Sequence, residues 1–163
     1  MALVRILVGA VWVNGGIEKL LNQEFPQQFA SSLQAGGFVS QAPPFFQNFM
    51  QSFVIPNSGA IAQLMRIGEL SLGIALILGL LTNLAALGSV VLSVTIMLSQ
   101  GGVSLGTGLG APQFLSVNLI IAILSAIILF SISAKALSVD AAIARRSPGL
   151  SPLLVNSRKR RNA

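Results

Sequence analysis

Residues 70–134 read LSLGIALILGLLTNLAALGSVVLSVTIMLSQGGVSLGTGLGAPQFLSVNLIIAILSAIILFSISA and contain no charged side chain. A bilayer core about 30 Å thick needs roughly 20 apolar helical residues, so this stretch is too long for one membrane span. It divides at Thr82-Asn83 and at the glycine-rich residues 101–110, and a further apolar run lies between Ile6 and Ile17. The predicted spans are 2–21, 60–81, 84–100 and 114–135.

The composition of the chain agrees with a membrane protein. Of its 163 residues, 53% are hydrophobic and only 9% are charged, whereas a soluble domain carries about 25% charged residues. This excludes a typical soluble enzyme, a disordered chain and a disulfide scaffold. The sequence has no Cys and no His, which excludes Cys/His metal sites, thiol nucleophiles and His-ligated haem. We therefore expect no metal and no intrinsic cofactor, although a quinone or a lipid could bind.

The charges predict the orientation. Arg5 precedes the first apolar run, but Glu18 and Lys19 stand where a signal peptide would be cleaved, so we expect a retained helix. Residues 144–163 form a basic tail, which we expect to be cytoplasmic and to contact anionic lipid headgroups rather than nucleic acid. The cationic residues of this tail are Arg145, Arg146, Arg158, Lys159, Arg160 and Arg161.

Four spans place both termini on the same side of the membrane. We expect a multi-pass protein of a bacterial or archaeal inner membrane, with both termini cytoplasmic and the connections 22–58 and 101–113 facing outward. Small residues that recur at helical spacing, such as those at 85, 89 and 93 or at 118, 122 and 125, favour close helix packing. The predicted fold is an all-α integral membrane four-helix bundle.

A cluster of polar residues is predicted near the outer ends of the first two spans. Charges inside a membrane span are costly, so their positions are informative. This topology brings residues 14–19 and 66–69 to a similar depth, where acids and bases could pair across the bundle. The predicted cluster consists of Asn14, Glu18, Lys19, Arg66, Glu69 and, from the fourth span, Asn118.

Two interpretations of this cluster remain open. In the first, the ion pairs only hold the helices together, or Lys19 extends toward the headgroups. In the second, the residues form an outward pocket for a quinone ring, a lipid headgroup or a small oxyanion. Arg66 would then donate to an anion or carbonyl, and Glu69 would accept a hydrogen bond or relay a proton.

The first outer connection is rich in phenylalanine. Residues 22–58 contain seven of the nine phenylalanines, and Phe45, Phe49 and Phe53 recur every four residues after Pro43-Pro44. Phe25, Phe29 and Leu33 are also four residues apart, and the two spacings together predict two short amphipathic interfacial helices that cover the polar cluster. The glycine-rich residues 101–110 lack the lysine of a phosphate-binding loop and are expected to form an outer connection.

Three segments resemble the DoxX-like family of small four-helix membrane proteins. Residues 3–20, LVRILVGAVWVNGGIEKL, are similar to its first helix, and residues 65–87, MRIGELSLGIALILGLLTNLAAL, to its second helix and turn. Ser138-Val139-Asp140 resembles the short Ser-x-Asp that follows the last helix. The similarity covers most of residues 1–143. Asn83, where the family has a basic residue, and the long connection 22–58 depart from the pattern.

The resemblance implies a quinone-linked membrane redox setting, because the family includes the small membrane subunit of a thiosulfate:quinone oxidoreductase. Three functions compete. The first is an accessory subunit of a larger respiratory or photosynthetic electron-transfer complex, with lipids and other membrane subunits as partners. The second is a subunit that itself oxidises a small sulfur compound such as thiosulfate, against which the missing Cys and His argue. The third, a transporter, is weakened because no inverted repeat or broken helix is visible.

Overall fold

The computed structural model describes residues 1–34, 37–100, 116–131 and 137–146, and the regular elements in these ranges are helical. This confirms the all-α prediction for the described part of the chain. The α-helices are α1 (Ala2–Leu21), α2 (Phe25–Ser32), α3 (Phe38–Gln41), α4 (Pro44–Phe49), α5 (Ser58–Leu78), α6 (Thr82–Ser99), α7 (Val117–Phe130) and α8 (Val139–Arg146). A π-helical turn, Met50–Val54, directly follows α4.

The closest helix pair is α1 with α5, and glycines allow the two backbones to approach. A Cβ atom on Gly73 would lie 2.6 Å from the backbone nitrogen of Val13, and one on Gly16 would lie 2.7 Å from that of Leu70. Such close approach maximises dispersion contacts between helices in an apolar environment. A second close pair is α6 with α7, whereas α5 contacts α6, and α1 contacts α7, less extensively.

Buried hydrogen bonds connect α1 to α6, and thereby the two helix pairs, and continue from α6 to α7. Trp12 Nε1 on α1 donates to Ser89 Oγ on α6 at 2.6 Å, and Ser89 Oγ lies 2.7 Å from Ser125 Oγ on α7. The inward direction of the small residues on α6 and α7 is therefore confirmed at Ser89 and Ser125. The other buried small residues of these faces are Ala85, Ser93 and Ala122.

A buried aspartate connects α8 to the beginning of α6. The Asp140 carboxylate accepts hydrogen bonds from the backbone nitrogens of Leu81, at 2.8 Å, and Thr82, at 2.7 Å. The backbone nitrogen of Asp140 donates in turn to the carbonyl oxygen of Gly79 at 3.0 Å. A carboxylate at a helix N-terminus satisfies free N–H groups and interacts favourably with the helix dipole. Asp140 thus caps α6 from a distant part of the chain.

Arg5 is the buried cation beside this cap. Its Nη2 donates to the carbonyl oxygen of Leu137 at 3.0 Å, and the charge of Asp140 acts on its guanidinium. Gly79 ends α5 with a left-handed φ of +67°, and a Cβ atom there would overlap Nη1 of Arg5. Glycine is therefore required twice at this position, for the backbone conformation and for the space. We call Arg5, Gly79, Leu137 and Asp140 the capping cluster.

The helix ends differ from the predicted ones where local turns decide them. The turn between α5 and α6 runs from Gly79 to Leu81, so α5 ends at Leu78 and α6 begins at Thr82. The sequence pattern places this break later, at Thr82-Asn83, because Leu80 and Leu81 look like a continuation of the apolar run. The predicted end of the last span, residues 132–135, and the glycine-rich residues 101–110 lie outside the described residues.

The first connection, residues 22–58, is helical, as predicted, and its helix α4 begins at Pro44. Phe45, Phe49 and Phe53 share an exposed side, while Phe46 is buried. Phe46 packs with four other buried apolar residues into a small second core. These residues are Leu33, Ala42, Met50 and Val54. The amphipathic character of this segment is therefore present, and its position at a membrane interface stays a prediction.

Two helices in the described ranges, α5 and α6, are long and apolar enough to cross a membrane. α7 is apolar but shorter. Many of the exposed side chains of these helices are large and apolar; Leu84, for example, is 65% exposed and Ile67 is 60% exposed. Large exposed apolar side chains of this kind are typical of a surface that contacts lipid.

Candidate functional site

The centre of the candidate site is an ion pair between α1 and α5. Lys19 Nζ lies 2.7 Å from Glu69 Oε2. Glu69 is 1% exposed, whereas the side chain of Lys19 is 24% exposed. Gly15 makes room for this pair, because a Cβ atom there would lie 2.9 Å from Glu69 Oε2. Helix α1 therefore places Lys19 at the height at which α5 buries the Glu69 carboxylate. The absence of a side chain at Gly15 leaves the space for this carboxylate.

Arg66 lies near this pair but binds a different group. Its Nη2 donates a short hydrogen bond to the carbonyl oxygen of Asn22, just after the end of α1. The Phe25 ring lies 5.7 Å from the Arg66 guanidinium carbon and 5.8 Å from Lys19 Nζ, so both cations contact its π system. Each such contact contributes about 0.5–2 kcal/mol. Together these interactions fix the start of α2 against α1 and α5.

A cavity of about 740 Å³ lies between the Lys19–Glu69 pair, α6 and the first connection. Two aromatic pairs form one wall: the Phe25 and Phe29 ring centroids are 6.0 Å apart, and those of Phe49 and Phe53 are 5.5 Å apart. The opposite walls come from apolar residues of α5 and α6. These residues are Ile61, Leu64, Met65, Val91, Leu92 and Ile96.

The cavity is mostly apolar and aromatic, with one charged pair and a few neutral polar residues, which are Gln28, Ser32, Thr95, Ser99 and Gln100. Lys19 supplies N–H donors and Glu69 supplies carboxylate acceptors, and the pair as a whole is neutral. A further cation, Arg66, does not line the cavity but contacts the ring of Phe25, which does. Within the described ranges, no group of three or more His, Cys, Asp or Glu side chains could hold a metal ion.

The remaining predicted cluster residues are not part of this cavity wall. Asn14 and Glu18 are exposed, and neither side chain makes a hydrogen bond or an ion pair with another described residue. Asn118 is half-buried and donates to Gln100 Oε1 at 3.3 Å, and Gln100 is a cavity residue at the end of α6. The structure therefore brings Lys19 and Glu69 together, places Arg66 next to them and connects Asn118 only through Gln100.

The predicted lipid-contacting cations divide between described and undescribed parts of the chain. Arg145 and Arg146 are exposed in the last turn of α8. The tail cations Arg158, Lys159, Arg160 and Arg161 lie outside the described residues.

The structural roles of two groups of residues were not predicted from the sequence. The sequence of α6 contains no pattern that distinguishes the residues that line the cavity, such as Val91, from residues that face lipid. The buried Arg5 and Asp140 did carry one, because an ionisable residue beside an apolar helix calls for a partner. The serine of the Ser-x-Asp pattern also has a structural role. The Oγ of Ser138 accepts a hydrogen bond from the backbone nitrogen of Ala141 at 3.0 Å and caps α8.

Comparison with known proteins identifies the family. A family model described as DoxD, TQO small subunit DoxD, matches residues 1–154. The searches of the curated proteins and of the solved structures found no match. The family match confirms the resemblance to DoxX-like proteins and, with the apolar helices α5 and α6, indicates a membrane protein. Since the match covers almost the whole chain, the protein belongs to the DoxD family.

Proposed function

We propose that this chain is the small membrane subunit of a quinone-linked oxidoreductase and holds a quinone headgroup in the cavity beside Lys19 and Glu69. The family description supports the setting, since TQO denotes a thiosulfate:quinone oxidoreductase. The observation that carries the proposal is the buried ion pair on the wall of an apolar, aromatic cavity of about 740 Å³. Cavities of this size are typical of small-molecule sites.

A quinone fits the chemistry of the cavity better than an ion does. Its flat ring can stack on phenylalanine, and its carbonyl can accept a hydrogen bond from Lys19. The reduced form carries hydroxyl groups, which can donate to Glu69. Because the pair neutralises itself, burying a charged ligand there would cost more than burying a neutral one.

We assign the chain an accessory role. The sequence has neither Cys nor His, and two-electron sulfur chemistry usually proceeds through thiolates or metals. A larger partner subunit would therefore carry out the oxidation, and this chain would contribute helix packing, lipid contacts and the quinone position. The cavity itself would need only the hydrogen bonds and apolar contacts described above.

The proposed arrangement in the membrane is a four-helix bundle of α1, α5, α6 and α7. Both termini would face the cytoplasm, because the exposed Arg145 and Arg146 and the basic tail favour that side. The Lys19–Glu69 pair would then lie nearer the outer face, with α2 and α4 as interfacial helices above it. Anionic lipids would surround the basic inner end.

A binding measurement tests the quinone site. The purified chain in lipid nanodiscs is titrated with a ¹³C-carbonyl benzoquinone, and the bound fraction is followed by the shift of the carbonyl stretch. We expect Glu69→Gln to weaken binding about tenfold, because the loss of the carboxylate removes the partner that orients Lys19. Glu24→Gln, the same substitution at an exposed acid outside the cavity wall, should bind like the wild type.

Two results would contradict the proposal. The quinone site is refuted if the wild type shows no shifted carbonyl, or if Glu69→Gln binds as tightly as the wild type. The accessory role is refuted separately if the purified chain alone reduces the quinone with thiosulfate. We expect that reaction to require a larger subunit recovered with the chain in mild detergent.

A further inference from the structure

We infer that the quinone reaches this cavity sideways from the bilayer, through a gap between α5 and α6 that Leu64 and Val91 flank. The inference rests on the proposed quinone-binding function and adds the route and the ligand class, a quinone with a long apolar tail. Its headgroup would lie at Lys19 and Glu69, and its tail would leave between the two helices.

The helix pairing explains why a gap exists there. The close pairs are α1 with α5 and α6 with α7, whereas the contact between α5 and α6 is less extensive. Glycines close the α1–α5 interface at Gly16 and Gly73, where added Cβ atoms would meet backbone. The cavity is lined by residues of α5 and α6, one helix from each pair, where the contact between the pairs is less extensive than within them.

Among the apolar cavity residues of α5 and α6, Leu64 and Val91 are also exposed on the outside of the helices. Leu64 on α5 is 69% exposed and Val91 on α6 is 58% exposed, and both line the cavity. The cavity wall therefore reaches the molecular surface at these positions. Both helices are long and apolar enough to cross a membrane, so this surface would contact acyl chains.

The other approach to the cavity is covered by α2. Arg66 holds the carbonyl oxygen of Asn22, and the Phe25 ring is fixed by two cations. Phe29 stacks on Phe25 and extends this cover. A water-soluble ligand would have to displace these contacts, whereas an apolar ligand that enters between α5 and α6 would meet apolar side chains such as Leu64 and Val91.

The size of the cavity indicates where the tail of the ligand would lie. A volume of about 740 Å³ accommodates a substituted ring and a short piece of chain, but not a long isoprenoid tail. The rest of such a tail must lie outside, and the gap at Leu64 and Val91 is bordered by apolar side chains. A tail in this position would stay in contact with lipid.

The test uses bulky substitutions at the gap and two quinones with the same ring. Val91→Trp and Leu64→Trp are compared with Leu84→Trp, which lies seven residues before Val91 on the same face of α6 and is 65% exposed. Each variant, in nanodiscs, is titrated with a ¹³C-carbonyl benzoquinone that carries either a long isoprenoid tail or only a methyl group. The carbonyl stretch reports binding.

We expect the gap variants to bind the long-tailed quinone about tenfold more weakly than the wild type and Leu84→Trp, because tryptophan overpacks the tail position. In the gap variants the methyl quinone should lose less affinity than the long-tailed quinone, because it places no tail between Leu64 and Val91. Equal binding of the long-tailed quinone by all four proteins would overturn the lateral route while leaving the quinone site intact. Absence of binding by the wild type would instead refute the proposed function, and the route with it.

Discussion

Asp140→Ala is expected to lower the free energy of unfolding by about 3–5 kcal/mol, the largest effect of any single substitution considered for this protein. The substitution removes the acceptor of two backbone N–H groups, those of Leu81 and Thr82, at the start of α6. It also leaves the buried guanidinium of Arg5 without the carboxylate that acts on it. Reversible unfolding in mixed micelles of increasing SDS content measures the change.

Two control variants separate the contributions to this effect. Asp140→Asn keeps an acceptor oxygen for the cap but removes the charge, so we expect a smaller loss of about 1–2 kcal/mol. Glu24→Ala, at an exposed acid, should change the stability by less than about 0.5 kcal/mol. If Asp140→Ala unfolds at the same SDS fraction as the wild type, the capping cluster does not stabilise the fold.

The second large effect is expected at the ion pair, and it is asymmetric. Lys19→Met should cost about 2–3 kcal/mol, because it leaves the Glu69 carboxylate buried at 1% exposure with no partner. Glu69→Gln should cost only about 1 kcal/mol, because the lysine is 24% exposed and its flexible side chain can extend to water. The same SDS titration compares the two variants.

The double variant completes this comparison. Lys19→Met combined with Glu69→Gln should be more stable than the sum of the single effects predicts, by about 1–2 kcal/mol, because the two side chains interact directly. Equal costs of the two single variants, or strictly additive effects, would show that the pair is solvated and does not act as a buried contact.

The sequence predicted which residues of α1 and α5 lie at the same height along the helices, but only partly in which direction their side chains point. The topology argument places residues 14–19 and 66–69 at one height, and Lys19 does contact Glu69. Glu18, however, lies about 100° further around α1 than Lys19, and it is exposed. Their similar height along α1 groups Glu18 with Lys19, whereas the packing of α1 on α5 brings only Lys19 into contact with Glu69.

The aromatic cover was predictable because its period is visible. Phe45, Phe49 and Phe53 recur at helical spacing after Pro44, and the structure places them on one exposed side. The opposite wall of the cavity was not predictable, because Val91 and its neighbours on α6 read like any lipid-facing residues. Which apolar residues border a cavity depends on the gap between two helix pairs, and no local pattern encodes that gap.

The capping cluster shows a different limit. Arg5 and Asp140 are separated by almost the whole chain, and no spacing rule connects them. Leu81 adopts a left-handed conformation, with φ of 48°, although leucine gives no sign of it in the sequence. The distant carboxylate holds this turn in place, so tertiary contacts decide where α6 begins.

Photo-crosslinking tests the central claim, a quinone headgroup at the Lys19–Glu69 pair, most directly. A benzoquinone with an azide on its ring is bound to the chain in nanodiscs and irradiated, and the labelled peptides are identified by mass spectrometry. The account predicts labels on the peptides that contain Lys19, Phe25 or Glu69, and their loss when an excess of the unlabelled quinone is present. Labels confined to the outer face of α7, or labels that the unlabelled quinone does not displace, would contradict it.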